Sequence, residues 1–393
     1  MENRYDVIVI GGGIIGLSVS YYLTEKQKRV LLIEKSEIGA GASSSCDEMI
    51  LMQSKKPGLL LEMALESLEL YKTLSEKLGI DLEFQNRGGM ILIEDREQLK
   101  FMEDFVEKQK SYGLDVQIIE GNDIYKKQPF AFGNIVASTY SPIDSQVNPL
   151  KVMKGFLKKG RENGLEIIKG FSMSSIEKKG DKWEIELEDK SRYCSEFIVN
   201  AAGAWAPQVA KLIDVEIPIK PKKGQIAVTE QIPSLGETNI WDAGYIVAKL
   251  DPNSAGNRDE VLKELGIGLS FARTMDGNYF IGGSREFAGF DTSTDYRCIK
   301  TIISQALKFF PILKNVNIIR TFAGLRPATP DGKPIIGEAA GRKGFFIAAG
   351  HEGDGIALAP ITGKIVSGLI CGDKPPFNLE ELSPDRFQKE GSD

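Results

Sequence analysis

The stretch "YDVIVIGGGIIGLSVSYYL", residues 5–23, runs a short apolar strand pattern into three glycines and then into apolar residues at helical spacing. Gly11, Gly13 and Gly16 stand in the order G-x-G-x-x-G. The first glycine allows a tight turn, the second lets the backbone approach a pyrophosphate, and the third lets helix and strand pack closely. Ile14 and Ile15 open the helix, whose first N–H groups and positive dipole end suit phosphate. "RVLLIE" follows as a second strand over residues 29–33 and ends in Glu34, 18 residues after Gly16, with Lys35 next. An acidic side chain there can accept hydrogen bonds from a ribose. Strand, glycine turn, helix, strand and acid together predict a dinucleotide site over a purely structural turn. NAD and FAD both use this unit, so the fingerprint alone leaves both open.

Three further segments have the composition of loops that wrap such a cofactor. "GAGASSSCDEMI", residues 39–50, is a run of small and hydroxyl residues including Ser43, Ser44 and Ser45, suited to a long cofactor in an extended pose; a plain surface loop is the alternative. "EFIVNAAGAWAP", residues 196–207, leads an apolar strand into Ala202, Gly203 and Trp205, where small residues permit close backbone approach to a bound group or tight packing. "GFFIAAGHEGDGIALAPITGKIVSGLI", residues 344–370, repeats the order strand, glycine loop, helix. It contains the chain's one histidine, His351.

The 393 residues suffice for two domains, and the 42% hydrophobic and 26% charged fractions are those of a globular protein. A net charge of −6 gives no basic surface for a nucleic-acid backbone, so nucleic acid is not an expected partner. No run approaches the length of a membrane span, Lys364 interrupting the best C-terminal stretch, and a cytoplasmic location is expected. Cys46, Cys194, Cys298 and Cys371 are widely spaced, which predicts buried reduced thiols and no metal or iron–sulfur site within this chain.

"RGGMILIE" (87–94) and "GNYFIGGSREF" (277–287) read as strands, and "EQLKFMEDFVEKQKSYG" (97–113) as an amphipathic helix. Residues 250–265 are polar and turn-rich, then helix-like; they read as a loop, with a partner-docking element as the alternative.

The motifs "VIVIGGGIIG", "LLIEK", "VNAAGAWA", "PKKGQ" (221–225), "YIVAK" (245–249), "GIGLSFARTMDGNYFIGGSREFAGFD" (266–291) and "AGLRPATPDGKPIIG" (323–337) carry a resemblance over nearly the whole chain. The chain resembles the D-amino-acid oxidase-like (DAO) superfamily of FAD-dependent amine and amino-acid oxidoreductases. Within it the likeness is to glycine and sarcosine oxidases, and most closely to the FAD-bearing beta subunits of heteromeric proline and opine dehydrogenases. This implies an α/β fold: a Rossmann-like FAD-binding domain built from residues 1–85, 141–225 and 320–393, and an α+β substrate domain, with a mostly antiparallel sheet, from residues 86–140 and 226–319.

The resemblance implies FAD as cofactor, non-covalent because residues 321–337 contain no cysteine. FMN or an iron–sulfur cluster would belong to, or be shared with, partner subunits. The implied reaction is dehydrogenation of the C–N bond of a secondary amine or amino acid, such as proline, an opine or sarcosine. Alternatives are a stand-alone oxidase using oxygen, a non-catalytic FAD-holding electron-transfer subunit, and a dehydrogenase of a hydroxy substrate. Arg326 in "GLRP" is the implied carboxylate clamp, since a guanidinium can make two parallel charge-assisted bonds; a structural arginine paired with Asp331 is the alternative.

Tyr245, read as starting a strand, is an implied pocket residue, and Arg273 and Arg285 are weaker choices that also read as surface charges. Met173 joins the implied cofactor contacts. The loop Gly353, Asp354, Gly355 and Ile356 is expected to present backbone N–H groups to reduced flavin. His351 is thereby moved from catalytic base to a supporting role. Glu48 departs from the small residue usual in relatives, implying either a rearranged loop or a carboxylate that attracts a cationic amine.

Overall fold

The computed structural model describes residues 4–250 and 259–390. Strand Arg4–Ile10 lies inside the first sheet because Val7, Ile8, Val9 and Ile10 are apolar on both faces, and all four are buried. Its parallel neighbours are Val30–Glu34 and Arg192–Asn200, with Ile8 opposite Leu31 on one side and Ile198 on the other. Glu166–Lys169 and Phe345–Ala349 extend the parallel run, and Ile335–Glu338 adds an antiparallel edge. The parallel strands therefore end at one side of the sheet. There the chain turns through Gly11–Gly13, Ala201–Gly203 and Gly350–Gly355, which is where open α/β sheets hold their ligands.

Helix Ile14–Glu25 leaves the first glycine turn and packs between helices Pro149–Glu162 and Gly355–Cys371. The contact with the last helix is backbone-close: a Cβ on Gly363 would lie 2.3 Å from Ser18 Oγ, and the Ser18 hydroxyl donates to the Ala359 carbonyl at 2.7 Å. Two strands, Met173–Lys179 and Lys182–Leu187, hang antiparallel from Arg192–Asn200.

The second sheet runs in the order Ile318–Ala328, Lys220–Thr229, Tyr279–Gly282, Ser270–Arg273, Asn239–Asp242, Gly89–Ile93, Ala137–Ser141, Gln117–Ile119. It is antiparallel apart from the Gly89–Ile93 and Asn239–Asp242 pair. One face, through Met90, Ala227, Phe271 and Ile281, packs on helix Tyr296–Phe309, with Phe271 stacked 4.6 Å from Phe310. The other face, through Ile226 and Trp241, looks into the cavity described below.

"YIVAK" is not a strand. Tyr245 sits in helix Ala243–Leu250, whose start is held by the Asp242 carboxylate accepting from the Tyr245 N–H at 2.7 Å, as an N-cap does. Ile246 and Val247 have the β-branched look of a strand, but the preceding Asp-Ala-Gly decides the local structure. In the 250–265 stretch, Asp259 caps a short helix, Glu260–Glu264, while residues 251–258 lie outside the described residues. All four cysteines are free; only Cys298 is fully buried, and Cys46, Cys194 and Cys371 are partly exposed. Among the described residues, no helix is long and apolar enough to cross a membrane, and no group of His, Cys, Asp and Glu side chains could hold a metal ion.

Candidate functional site

An elongated cavity of about 430 Å³ follows the carboxyl ends of the first sheet's strands and passes under the second sheet. At one end, Gly11 has φ +109°, and a Cβ there would meet the Ala201 carbonyl oxygen at 2.5 Å; one on Gly16 would meet the Gly11 carbonyl oxygen at 1.9 Å. Only glycine fits at either position. The Ile14 N–H, one of the donors a helix start leaves without an intrahelical partner, donates to Ser43 Oγ at 3.0 Å. Glu34 holds the turn from the next strand, accepting from the Gly12 N–H at 2.7 Å and the Ser36 N–H at 2.8 Å. Beyond it the Lys35 ammonium lies 3.9 Å from the Trp205 ring centre, a cation over an aromatic face. Met173, Ala202 and Gly203 complete this end of the wall.

Of the cofactor-binding positions singled out from the sequence, Gly16 and Ser44 lie off the cavity wall. Gly16 serves the close packing just described, and the Ser44 hydroxyl points back to the Gly41 carbonyl. Ser45 lies on the wall and presses against Gly324, whose Cβ would come within 2.6 Å of the Ser45 carbonyl oxygen.

At the other end the second sheet and the Gly350–Gly355 loop meet. Arg326 lies on strand Ile318–Ala328, and its Nη1 donates to the Ser284 carbonyl at 2.9 Å. Its guanidinium occupies the space above Gly224, where a Cβ would be 2.2 Å from Nη1. Among the described residues, no carboxylate lies within ion-pair distance of it. Asp331 instead pairs with Arg386, at 2.8 Å and 3.1 Å, so the Arg326–Asp331 pairing does not occur.

Arg285 is not a surface charge. Its Nε donates to the Tyr245 hydroxyl at 3.0 Å, its guanidinium carbon lies 4.7 Å over that ring, and its Nη1 is 3.4 Å from Glu352 Oε1. Burial pushes its pKa down, but Glu352 and Tyr245 outweigh this and hold it fully charged. Arg273 is half-buried away from the cavity, its carbonyl accepting from Arg87 and Gln146.

The glycine loop differs from expectation in one detail. The Gly353 N–H is bound by the side chain of Glu352 at 2.7 Å, and the Asp354 N–H by the His351 carbonyl at 2.9 Å. The N–H groups open to the cavity begin at Gly355 and Ile356, the first turn of the last helix. His351 is buried, with Nε2 3.1 Å from Thr362 Oγ1. Burial pushes its imidazole down to about 4, against the pull of Asp354, so the ring is neutral at neutral pH.

Glu48 does not face the cavity. It adopts φ +65°, and its carboxylate accepts from Gln146 Nε2 at 3.2 Å, while Asp47 beside it lines the wall and takes the Ser270 hydroxyl at 3.1 Å. Asp47, Glu352 and Lys55 were not singled out from the sequence. Lys55 has no motif around it, and the only signal for Glu352 was its position inside the glycine loop.

The architecture has known counterparts. A family model described as FAD dependent oxidoreductase (DAO) matches residues 6–369. The chain belongs to this family of FAD-dependent oxidoreductases. The hydrogen cyanide synthase subunit HcnC of Pseudomonas aeruginosa is 26% identical over 99% of this chain and 98% of its own length. The glycine oxidase of Bacillus subtilis is 28% identical over 94% of each chain. Among solved structures, the L-proline dehydrogenase from P. horikoshii superposes with a TM-score of 0.86 at 25% identity, covering 99% of both chains.

The residues present fit FAD. The glycine turn that no Cβ would permit, the Glu34 carboxylate at the end of the second strand and the open helix start at Gly355 lie along one continuous cavity.

Proposed function

We propose that this flavoprotein oxidises the C–N bond of a carboxylate-bearing amine, an amino acid or secondary amino acid. One observation carries the reading: a cavity-facing arginine, Arg326, that no carboxylate of the described residues neutralises. A cation held this way is an uncompensated receptor for a substrate carboxylate, and its rigid fork fixes the substrate's orientation. The nearby Arg285 is already matched by Glu352 and instead braces Tyr245.

FAD, when bound, supplies the acceptor for the two electrons and the hydrogen removed from the substrate carbon. Arg326 binds and orients the carboxylate. Trp241, Ile226, Ile246 and the Tyr245 ring form an apolar wall that excludes water from the reacting bond. His351, neutral and tied to Thr362, supports the loop and does not serve as a charged acid. Glycine oxidase and L-proline dehydrogenase among the relatives agree with an amino-acid substrate.

The division into an FAD-binding part (1–85, 141–225, 320–393) and a substrate part (86–140, 226–319) belongs to this proposal. The two sheets support it, with strands Lys220–Thr229 and Ile318–Ala328 crossing the boundaries. A partner chain that takes the electrons is a further part of the reading, supported by a relative that is itself a subunit. The glycine oxidases favour a self-sufficient oxidase instead.

Anaerobic mixing with L- and D-proline, glycine, sarcosine, opines and glycerol 3-phosphate tests the substrate. Bleaching by an amino acid, with Arg326→Ala raising the half-saturating concentration about 10- to 100-fold, is expected from losing a charge-assisted bond. Bleaching by glycerol 3-phosphate alone, or an unchanged Arg326→Ala variant, defeats the reading. Turnover of the purified chain in air with peroxide formation identifies the oxidase; slow reoxidation identifies the partner-dependent enzyme.

A further inference from the structure

Lys55 is 2% exposed, deep in the molecule and on the cavity wall. Its Nζ lies 2.8 Å from Asp354 Oδ1 and donates to the Leu51 carbonyl at 2.7 Å, with Ser54 Oγ at 3.3 Å. The backbone beneath it is clamped: Gln109 Nε2 donates to the Gln53 and Lys55 carbonyls at 3.0 Å and 2.9 Å, and the Lys55 N–H is held by the Met52 carbonyl. Burying an ammonium ion is costly even when it is paired and hydrogen-bonded as here, which points to a task other than stability.

That task is legible in Asp354, the residue before helix Gly355–Cys371. Aspartate at such a position normally turns its carboxylate onto the helix's first N–H groups. Asp354 makes no such cap, its backbone is at φ −103° and ψ 3° instead of the extended cap conformation, and its carboxylate meets Lys55. We propose that Lys55 is a positioning residue that draws the Asp354 carboxylate off the helix start, keeping the Gly355 and Ile356 N–H groups open to the cavity and the aspartate charge neutralised beside bound flavin. Without Lys55 the carboxylate would cap the helix and set a negative charge where reduced flavin gathers its own. Arg285 and His351 also lie within electrostatic reach of Asp354, but neither holds its carboxylate in an ion pair among the described contacts.

The inference rests on the flavin, not on the substrate, so it stands or falls independently of which amine is oxidised. The test is the equilibrium between bound flavin and a reference dye, measured on FAD-loaded wild type, Lys55→Met, Asp354→Asn and the double variant. Lys55→Met is expected to shift this equilibrium toward oxidised flavin about tenfold, the scale of a charge at a helix end. Asp354→Asn is expected to favour reduction by about threefold or less in the wild type and by about tenfold in the Lys55→Met background. Equal effects of Asp354→Asn in both backgrounds would overturn the proposal. So would a tenfold effect in the wild type alone, which would mean the carboxylate already faces the flavin; that arm decides even if Lys55→Met does not fold. A fall in melting temperature with the dye equilibrium unmoved in every variant would make the pair merely structural and sink the idea.

Discussion

A Cβ on Gly224 would sit 2.2 Å from Arg326 Nη1 and 2.5 Å from its Cζ, so the guanidinium occupies the space that any other residue's side chain would enter. Gly224 and Arg326 lie on paired strands, Gly224 opposite Gly324 and Arg326 opposite Lys222. Gly224→Ala is therefore expected to displace the guanidinium while leaving the strand pairing intact. Its signature in steady-state kinetics is a KM for the carboxylate substrate raised about 10- to 100-fold, with kcat reduced less, as for loss of one charged hydrogen bond. An unchanged KM would show that Arg326 does not hold the carboxylate. Arg326 and the glycine of "PKKGQ" were legible because each sits in a short recognisable string. Lys55 was not, because its partner Asp354 is 299 residues away and neither residue's neighbours announce the pair. Glu48 stayed open between a rearranged loop and an amine-attracting carboxylate for a related reason: its carboxylate and that of Asp47 point to different sides, and the φ +65° turn that puts Asp47 on the cavity wall is not written in the residue types.

At the scale of elements, the first strand, its glycine turn and the last helix could be drawn from periodicity, while "YIVAK" could not. β-branched residues said strand, and a capping aspartate three residues upstream of Tyr245 said helix; side-chain capping and tertiary packing overrode propensity. The last helix shows the same dependence on distant partners. Pro360 inside Gly355–Cys371 has no N–H to give the Ile356 carbonyl four residues back, and the buried Tyr71 hydroxyl donates to that oxygen at 2.7 Å instead. Tyr71→Phe should leave the carbonyl unpaired and cost about 1–3 kcal/mol in urea unfolding. In a Pro360→Ala background, where the restored N–H can reach Ile356, the same substitution should cost clearly less. Equal costs in the two backgrounds would place the Tyr71 contribution in its ring packing alone.

Across the whole molecule, buried titratable groups pull stability in opposite directions with pH. Burial raises the Glu48 carboxyl from 4.5 to about 7 and the Asp144 carboxyl from 3.8 to about 6. Each therefore keeps a proton in the folded protein that the unfolded chain has already released, so each lowers stability as pH rises through its window. His351 does the reverse: burial lowers it from 6.5 to about 4, so its contribution is present above the unfolded value and is lost as pH falls toward 4. The windows overlap at acidic pH, where the slopes partly cancel, but at the neutral end of the range Glu48 is the group still losing its proton. Asp144 is tied to Met52 and Gln53 through its carboxylate and cannot be replaced without breaking those bonds. Glu48, whose carboxylate accepts from Gln146 and is turned off the cavity, can be replaced. Glu48→Gln should raise the melting temperature by a few degrees at about pH 8, where the wild type carries a half-buried charge, and the gain should shrink to nothing near pH 4.5, where the wild-type carboxyl is itself protonated. Thermal unfolding of both proteins across that range checks it. A gain of the same size at both ends would trace to packing at the φ +65° turn, and the ionisation of Glu48 would then play no part in the pH dependence.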